Sequence, residues 1–135
     1  MKQSNKRTVL VVEDQFSMAE ALSLKLKKSY KVLVANDGEE GLNIGLKKNP
    51  DLVMLDIMMP KMDGLTVLEK IREDDSWGAS VPVIMLTNIS DPVHVAEAAK
   101  FGVFDFLVKT DWKLDDVVDL VNRRVENIPD EEEEE

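Results

Sequence analysis

With 135 residues, no cysteine and a formal net charge of −10, the chain has room for one domain with a real core, and it offers neither a disulfide framework nor a thiolate metal site. Six of the negative charges lie in Asp130–Glu135, and removing them leaves about −4; neither figure suits the positive face that nucleic-acid binding requires. No apolar run approaches the length of a membrane span, and residues 1–7 are basic without an apolar signal core behind them, so the expectation is a soluble, untargeted, cytoplasmic protein.

Thr8 to Val12 (TVLVV) is a β-branched apolar run that predicts a buried strand, and it closes in two acids, Glu13 and Asp14. Ser17 opens an amphipathic helix to about Lys28, with Ala21, Leu22, Leu24 and Leu26 as its apolar side and Lys25, Lys27 and Lys28 in its last turn. Lys31 to Ala35 (KVLVA) reads as a second strand. Asn36, Asp37 and Gly38 then turn the chain into a helix carrying Leu42, Ile44 and Leu46, which stops before Pro50 because the residue preceding a proline is driven out of the α region.

Leu52 to Leu55 is an unbroken apolar run, which suits a strand covered on both faces, and it stops at Asp56. A carboxylate in that place sits at the carboxyl edge of a parallel sheet, where open α/β folds place their ligands. Pro60 and the Asp63, Gly64 turn break the chain before the next helix, so Asp56 is held on rigid backbone and faces a loop; it reads as a nucleophile, although an isolated Asp there would also serve as a helix cap.

Leu65 to about Glu73 is helical, with Leu65, Leu68 and Ile71 at spacings of three, and the loop DDSWGAS follows. Val81 to Leu86 is a fourth strand with Pro82 near its start, and it ends at Thr87. Asp91 and Pro92 supply an N-cap and first-turn proline for an Ala-rich helix to Lys100, closed by Gly102. Val103 to Val108 is a fifth strand ending at Lys109, and Trp112 to about Glu126 forms the last helix on Leu114, Val117, Val118, Leu120, Val121 and Val125. His94, Arg123 and Arg124 read as surface residues. The domain is placed at residues 1–127, and the acidic stretch 128–135 is expected to be disordered by its composition.

Five strands alternating with five helices imply an α/β fold with a parallel sheet wrapped on both faces, because each right-handed crossover lays its helix back on the sheet. Strand order is not legible in this pattern. The strand ends collect Glu13, Asp14, Asp56, Thr87 and Lys109 at one edge. Each has an ordinary explanation alone; three acids, a hydroxyl and an ammonium together are harder to explain so. Two carboxylates about 4 Å apart repel by roughly 4 kcal/mol at a near-surface effective dielectric, so three ionised together call for a cation. A hard divalent ion such as Mg²⁺ (or Mn²⁺) fits the all-oxygen set and would also neutralise an incoming phosphoryl group. Thr87 and Lys109 then suit two further phosphoryl oxygens, and phosphoryl transfer onto Asp56 follows.

Through VLVVED, VMLDIMMPKMDG, VIMLT and FGVFDFLVK, the chain from about Lys6 to Glu126 resembles a response regulator receiver domain of two-component signalling, a single-domain type. That resemblance implies the flavodoxin-like strand order 2-1-3-4-5. It implies a phosphoryl group accepted on Asp56 from a sensor histidine kinase or phosphotransfer protein. It implies Mg²⁺ held by Asp14, Asp56 and the main-chain carbonyl of Met58, with Glu13 in support. It also implies a switch in which Thr87 moves to the phosphoryl group and Phe106 turns inward. Signalling is then a population shift of the face made by the fourth helix, fifth strand and fifth helix, read by an unknown downstream protein. The protein is expected to be a signalling receiver rather than an enzyme with turnover, catalysing only its own phosphorylation and slow autodephosphorylation, and to be a monomer or a phosphorylation-dependent homodimer.

The chain departs from that family at four places. Thr110 follows Lys109 where a cis proline is usual; a cis bond to Thr costs roughly 3–4 kcal/mol, which favours a trans bond and a different loop. Asn88 stands where a small residue is usual. Met58 and Ile89 occupy positions that influence dephosphorylation, and neither can orient a water, so a comparatively long-lived aspartyl phosphate is expected. Asn88 and Thr110 also leave open a degenerate receiver that acts as a phosphorylation-independent interaction module, against which the intact acidic set argues. A phosphatase with an Asp nucleophile would want a second acid where Met58 stands, and a nucleotide carrier would want a Gly-rich loop after the first strand.

Overall fold

A computed structural model of the chain describes residues 6–87, 92–109 and 113–128. Strands and helices alternate: β1 (Thr8–Val12), α1 (Phe16–Leu26), β2 (Lys31–Ala35), α2 (Gly38–Lys48), β3 (Leu52–Asp56), α3 (Gly64–Arg72), β4 (Val83–Thr87), α4 (Pro92–Ala99), β5 (Asp105–Val108) and α5 (Leu114–Glu126). All strand pairs are parallel, in the order β2-β1-β3-β4-β5 that the resemblance implied. Asn88, Ile89, Asp91, Thr110, Trp112 and the acidic stretch beyond Ile128 lie outside the described residues.

The continuous apolar runs of the inner strands are explained by burial on both faces. Leu10, Val12, Val53, Leu55 and Met85 point into one core with α2, α3 and α4. Val9, Val11, Met54, Ile84 and Leu86 point into the other with α1 and α5. The period-2 alternation of strand side chains thus splits five short runs between two cores.

Two helices bury different residues from those expected. In α1 the core contacts come from Ala19, Leu22 and Leu26, at spacings of three and four, while Leu24 is 58% exposed, because two residues along a helix lie on opposite sides. In α2 Leu46 is 44% exposed and the buried face is made of Gly38, Gly41 and Gly45. A Cβ at Gly41 would lie 2.8 Å from the Val12 side chain and one at Gly45 2.7 Å from the Trp77 ring, so the helix backbone itself packs on the sheet and the indole. Its ends follow local chemistry: Asp37 Oδ1 accepts from the Glu40 amide at 2.8 Å, and Asn49 closes the helix in the left-handed region at φ 48°. β5 is shorter than expected, starting at Asp105, with Val103 buried in the turn that follows Gly102 (φ 79°).

Two residues read from the sequence as solvated or simply as loop are structural. Arg124 is not a solvated helix end: its guanidinium grips Asp105 of β5 through Nε at 2.5 Å and Nη2 at 2.6 Å, which ties α5 to the edge strand. His94, read as a surface residue, is partly exposed on α4. Trp77, in the loop after α3, donates from Nε1 to the Pro50 carbonyl at 2.6 Å. Beside it, Arg72 donates to three main-chain carbonyls, those of Phe101, Gly78 and Val81, each at 2.8 Å. One guanidinium therefore joins the end of α3, the following loop, the approach to β4 and the turn after α4. Arg72→Met retains the apolar stem and leaves these carbonyls without their donor; we expect a loss of about 2–3 kcal/mol of unfolding free energy in urea titration at an unchanged m-value, and a loss below about 0.5 kcal/mol would show that water replaces the clamp.

Candidate functional site

The parallel sheet ends its central strands at one edge, and the charged residues at those ends meet there. Glu13 directly follows β1, where its amide donates to Ala35 of β2 at 3.0 Å, and its side chain is 0% exposed. Asp56 is the last residue of β3 and 1% exposed. The Lys109 amide donates to the Thr87 carbonyl at 2.6 Å, which fixes the lysine immediately past β5 and beside the end of β4. From there its ammonium reaches Asp56 Oδ2 at 3.0 Å and Glu13 Oε1 and Oε2 at 2.8 and 3.0 Å. β1 and β3 are neighbours, in register from Val9↔Leu52 to Val12↔Leu55, which explains why carboxylates so distant in sequence share one cation.

The remaining polar atoms are arranged by short loops. Glu13 Oε2 also accepts from the Gln15 amide at 3.1 Å, and Asp56 Oδ1 from the Met58 amide at 3.2 Å. Asp14 is exposed, yet its carboxylate belongs to the same cluster, each of Glu13, Asp14 and Asp56 offering an oxygen within 4.8 Å of the others. Gly64 folds the β3–α3 loop against the strand: its amide donates to Ile57 O at 2.8 Å, and a Cβ there would overlap the Asp56 carbonyl oxygen. The Met58 side chain, two residues past Asp56, is 59% exposed. Thr87 is buried at the end of β4, and Phe106, aligned with Met85, is half-buried against the core on the α2–α4 side.

One ammonium serves two buried carboxylates, with a third beside them. Burial, and then the charge of Glu13, push the Asp56 carboxyl up to about 7, a rise that Lys109 only partly opposes. Burial alone would weaken the Lys109 ammonium, but its pairing with the Glu13 and Asp56 carboxylates outweighs that and holds it above the ordinary lysine value. Glu13 Oε1 and Asp56 Oδ2 touch the ammonium at ion-pair distance but out of hydrogen-bond alignment, leaving two buried oxygens incompletely satisfied. Incompletely satisfied oxygens in an all-carboxylate cluster fit a small hard divalent cation.

The expected residues thus separate by contact. Glu13 and Asp56 each touch Lys109, Asp14 completes the acidic cluster, and Thr87 and Phe106 stand on the two strands beside it. Sequence reading did not single out Gly38 and Lys61, which fasten the β3–α3 loop from outside. A Cβ at Gly38 would overlap the Met62 carbonyl oxygen, and Lys61 turns through φ 69° with Nζ 3.6 Å from Asp37 Oδ2. The NDG sequence at 36–38 signals a turn but carries no sign of the partner that the turn approaches.

The family model of the response regulator receiver domain matches residues 9–122. The probable transcriptional regulator ycf27 of Guillardia theta is 42% identical over 105 residues, covering 77% of this chain and 40% of that protein. The transcriptional regulatory protein DltR of Streptococcus agalactiae is 42% identical over 102 residues, covering 75% and 44%. The chain therefore spans about two fifths of the length of these relatives. Among solved structures, the chemotaxis protein CheY4 of Vibrio cholerae superposes with a TM-score of 0.81 at 28% identity, covering 87% of this chain and 98% of that one. The matched sequence, the strand order and the acidic edge agree, and the chain belongs to the response regulator receiver domains of two-component signalling.

Proposed function

We propose that the protein is switched by transfer of a phosphoryl group to Asp56 from the phosphohistidine of a sensor kinase or phosphotransfer protein. The observation that carries this reading is the buried Asp56 carboxylate, poised beside Lys109 and within an acidic cluster suited to a divalent cation. An Asp56 oxygen attacks phosphorus, the P–N bond breaks, and its electron pair returns to the imidazole nitrogen. The Lys109 ammonium is positioned to follow negative charge from the carboxylate to a phosphoryl oxygen, and the Thr87 hydroxyl to donate to another. Asp14, Asp56 and the Met58 carbonyl would hold Mg²⁺, with Glu13 in support, and the bound ion supplies charge neutralisation for the approach of two anions. Withdrawal of Thr87 toward the phosphoryl group would open space for Phe106.

The output surface in this reading is the α4/β5/α5 face; Val93 in α4 and Phe104, just before β5, are exposed apolar residues. The relatives are called transcriptional regulators, but the output proposed for this chain is protein binding. A cytoplasmic site of action agrees with the absence, among the described residues, of any helix long and apolar enough to cross a membrane. The exposed apolar Met58 cannot orient a water for hydrolysis, so the acyl phosphate should be long-lived.

Intact-protein mass after incubation with Mg²⁺ and acetyl phosphate tests the assignment. One phosphoryl group is expected on the wild type and none on Asp56→Asn, and Met58→Asn should lose it several-fold faster after the donor is removed. Equal labelling of Asp56→Asn would reject Asp56 as acceptor, and an unchanged decay would reject the role of Met58.

The raised Asp56 carboxyl also sets a pH dependence. Because the folded chain binds that proton more tightly than the unfolded chain, the group's stabilising contribution is complete below about pH 4 and is lost as pH rises through about 7. Without divalent ions, the unfolding free energy of the wild type should fall relative to Asp56→Asn between those limits, and Mg²⁺ should restore it chiefly in the wild type. A constant difference between the two proteins across this range would contradict the assigned shift.

A further inference from the structure

The loop that carries the Met58 carbonyl is held at both ends, and the outer hold comes from α2. At the inner end, Ile57 donates to Leu86 O at 3.0 Å and accepts from the Gly64 amide at 2.8 Å, so the loop leaves the sheet from a fixed point. At the outer end, Met62 donates to Pro60 O at 2.8 Å in a tight turn whose Lys61 lies in the left-handed region, at φ 69°. That region is strained for a residue with a Cβ and persists only where the surroundings impose it. Here they do. The Met62 carbonyl oxygen sits where a Cβ of Gly38 would be, the Val67 side chain lies 2.8 Å from the same point, and Lys61 Nζ is 3.6 Å from Asp37 Oδ2. The other Asp37 oxygen is already engaged in capping α2, accepting from the Glu40 amide at 2.8 Å. The N-terminus of α2 is therefore both a helix start and the seat of the β3–α3 turn.

We propose that Gly38 and Lys61 are positioning residues for the main-chain carbonyl of Met58, so that α2 sets the geometry, and hence the affinity, of the divalent-cation site. The proposal rests on the reading of Asp14, Asp56 and the Met58 carbonyl as the ligands. Mg²⁺ demands near-ideal octahedral geometry at short distances, so a small displacement of one rigid carbonyl is felt as lost affinity. Outer residues that aim a ligand cost about tenfold or more in metal affinity when replaced. A Cβ at Gly38 cannot be accommodated by a flexible side chain, because the atom it meets is main-chain oxygen, and the turn must move outward. Lys61→Val drives the same turn from within, since a β-branched residue is disfavoured in the left-handed region.

The test is Mg²⁺ titration of the full chain by calorimetry at a temperature where each variant is folded by circular dichroism, for wild type, Gly38→Ala, Lys61→Val and Val67→Ala. Val67→Ala loosens the same α2–α3 contact without pressing on the turn, so it controls for general destabilisation. The expected result is Mg²⁺ binding weakened about tenfold in both Gly38→Ala and Lys61→Val, with Val67→Ala near wild type despite a lowered melting temperature. Should Gly38→Ala not fold, Lys61→Val against Val67→Ala decides alone. Wild-type affinity in the two turn variants, or an equal loss in Val67→Ala, would overturn the positioning role while leaving the site reading intact. Failure of the wild type to bind Mg²⁺ would overturn both.

Discussion

The structure turns on one ammonium shared by two buried carboxylates. Lys109 lies within 3.0 Å of both Glu13 and Asp56, and Asp14 adds a third acid to the same cluster. A buried charge is tolerated when it is paired and hydrogen-bonded, and costly otherwise. Among the described residues the pairing is incomplete, since the one ammonium faces more than one carboxylate. In the proposed reading the shortfall is met by protonation of Asp56 or by an added cation, and the second route would leave a carboxylate free to act as a nucleophile. In that reading, the same imbalance that weakens this edge of the sheet would make it reactive.

The rest of the fold can be understood as the means of holding that imbalance in place. Parallel strands bring all their carboxyl ends to one edge, and the placement of β1 beside β3 puts Glu13 and Asp14 next to Asp56 without any contact close in sequence. The two apolar cores hold the strand ends rigid, and Arg72, Trp77 and Arg124 fasten the loops and the outer helix around them. On the α2 side, glycines allow the helix backbone to approach the sheet and the β3–α3 turn more closely than side chains would permit. Rigidity around the site and access at its mouth are thus properties of different elements.

Much of this was legible in the sequence, for identifiable reasons. Runs such as LVML before Asp56 and VIML before Thr87 predict buried parallel strands because no solvent face interrupts them, and a charged or polar residue at the end of such a run has to lie at the edge. Strand order came only from the family resemblance, since alternation of elements leaves it open. Leu24 and Leu46 misled because apolar character was weighed above helical spacing, and the buried face of α2 was missed because glycine carries no hydrophobic signal. Arg72, Trp77 and the Asp105–Arg124 pair were invisible for another reason. Their partners are carbonyls or side chains set by tertiary approach, and no local pattern records them.

In the proposed reading, Asp56 is held against its own charge until a cation arrives. The most direct measurement is the titration of the Asp56 side-chain carboxyl by carbon-detected NMR, with and without Mg²⁺. A midpoint of about 7 is expected in the metal-free protein, with a marked fall when Mg²⁺ is added. A metal-free midpoint at the ordinary carboxylate value, unmoved by Mg²⁺, would contradict it, because Lys109 alone would then suffice to neutralise the site.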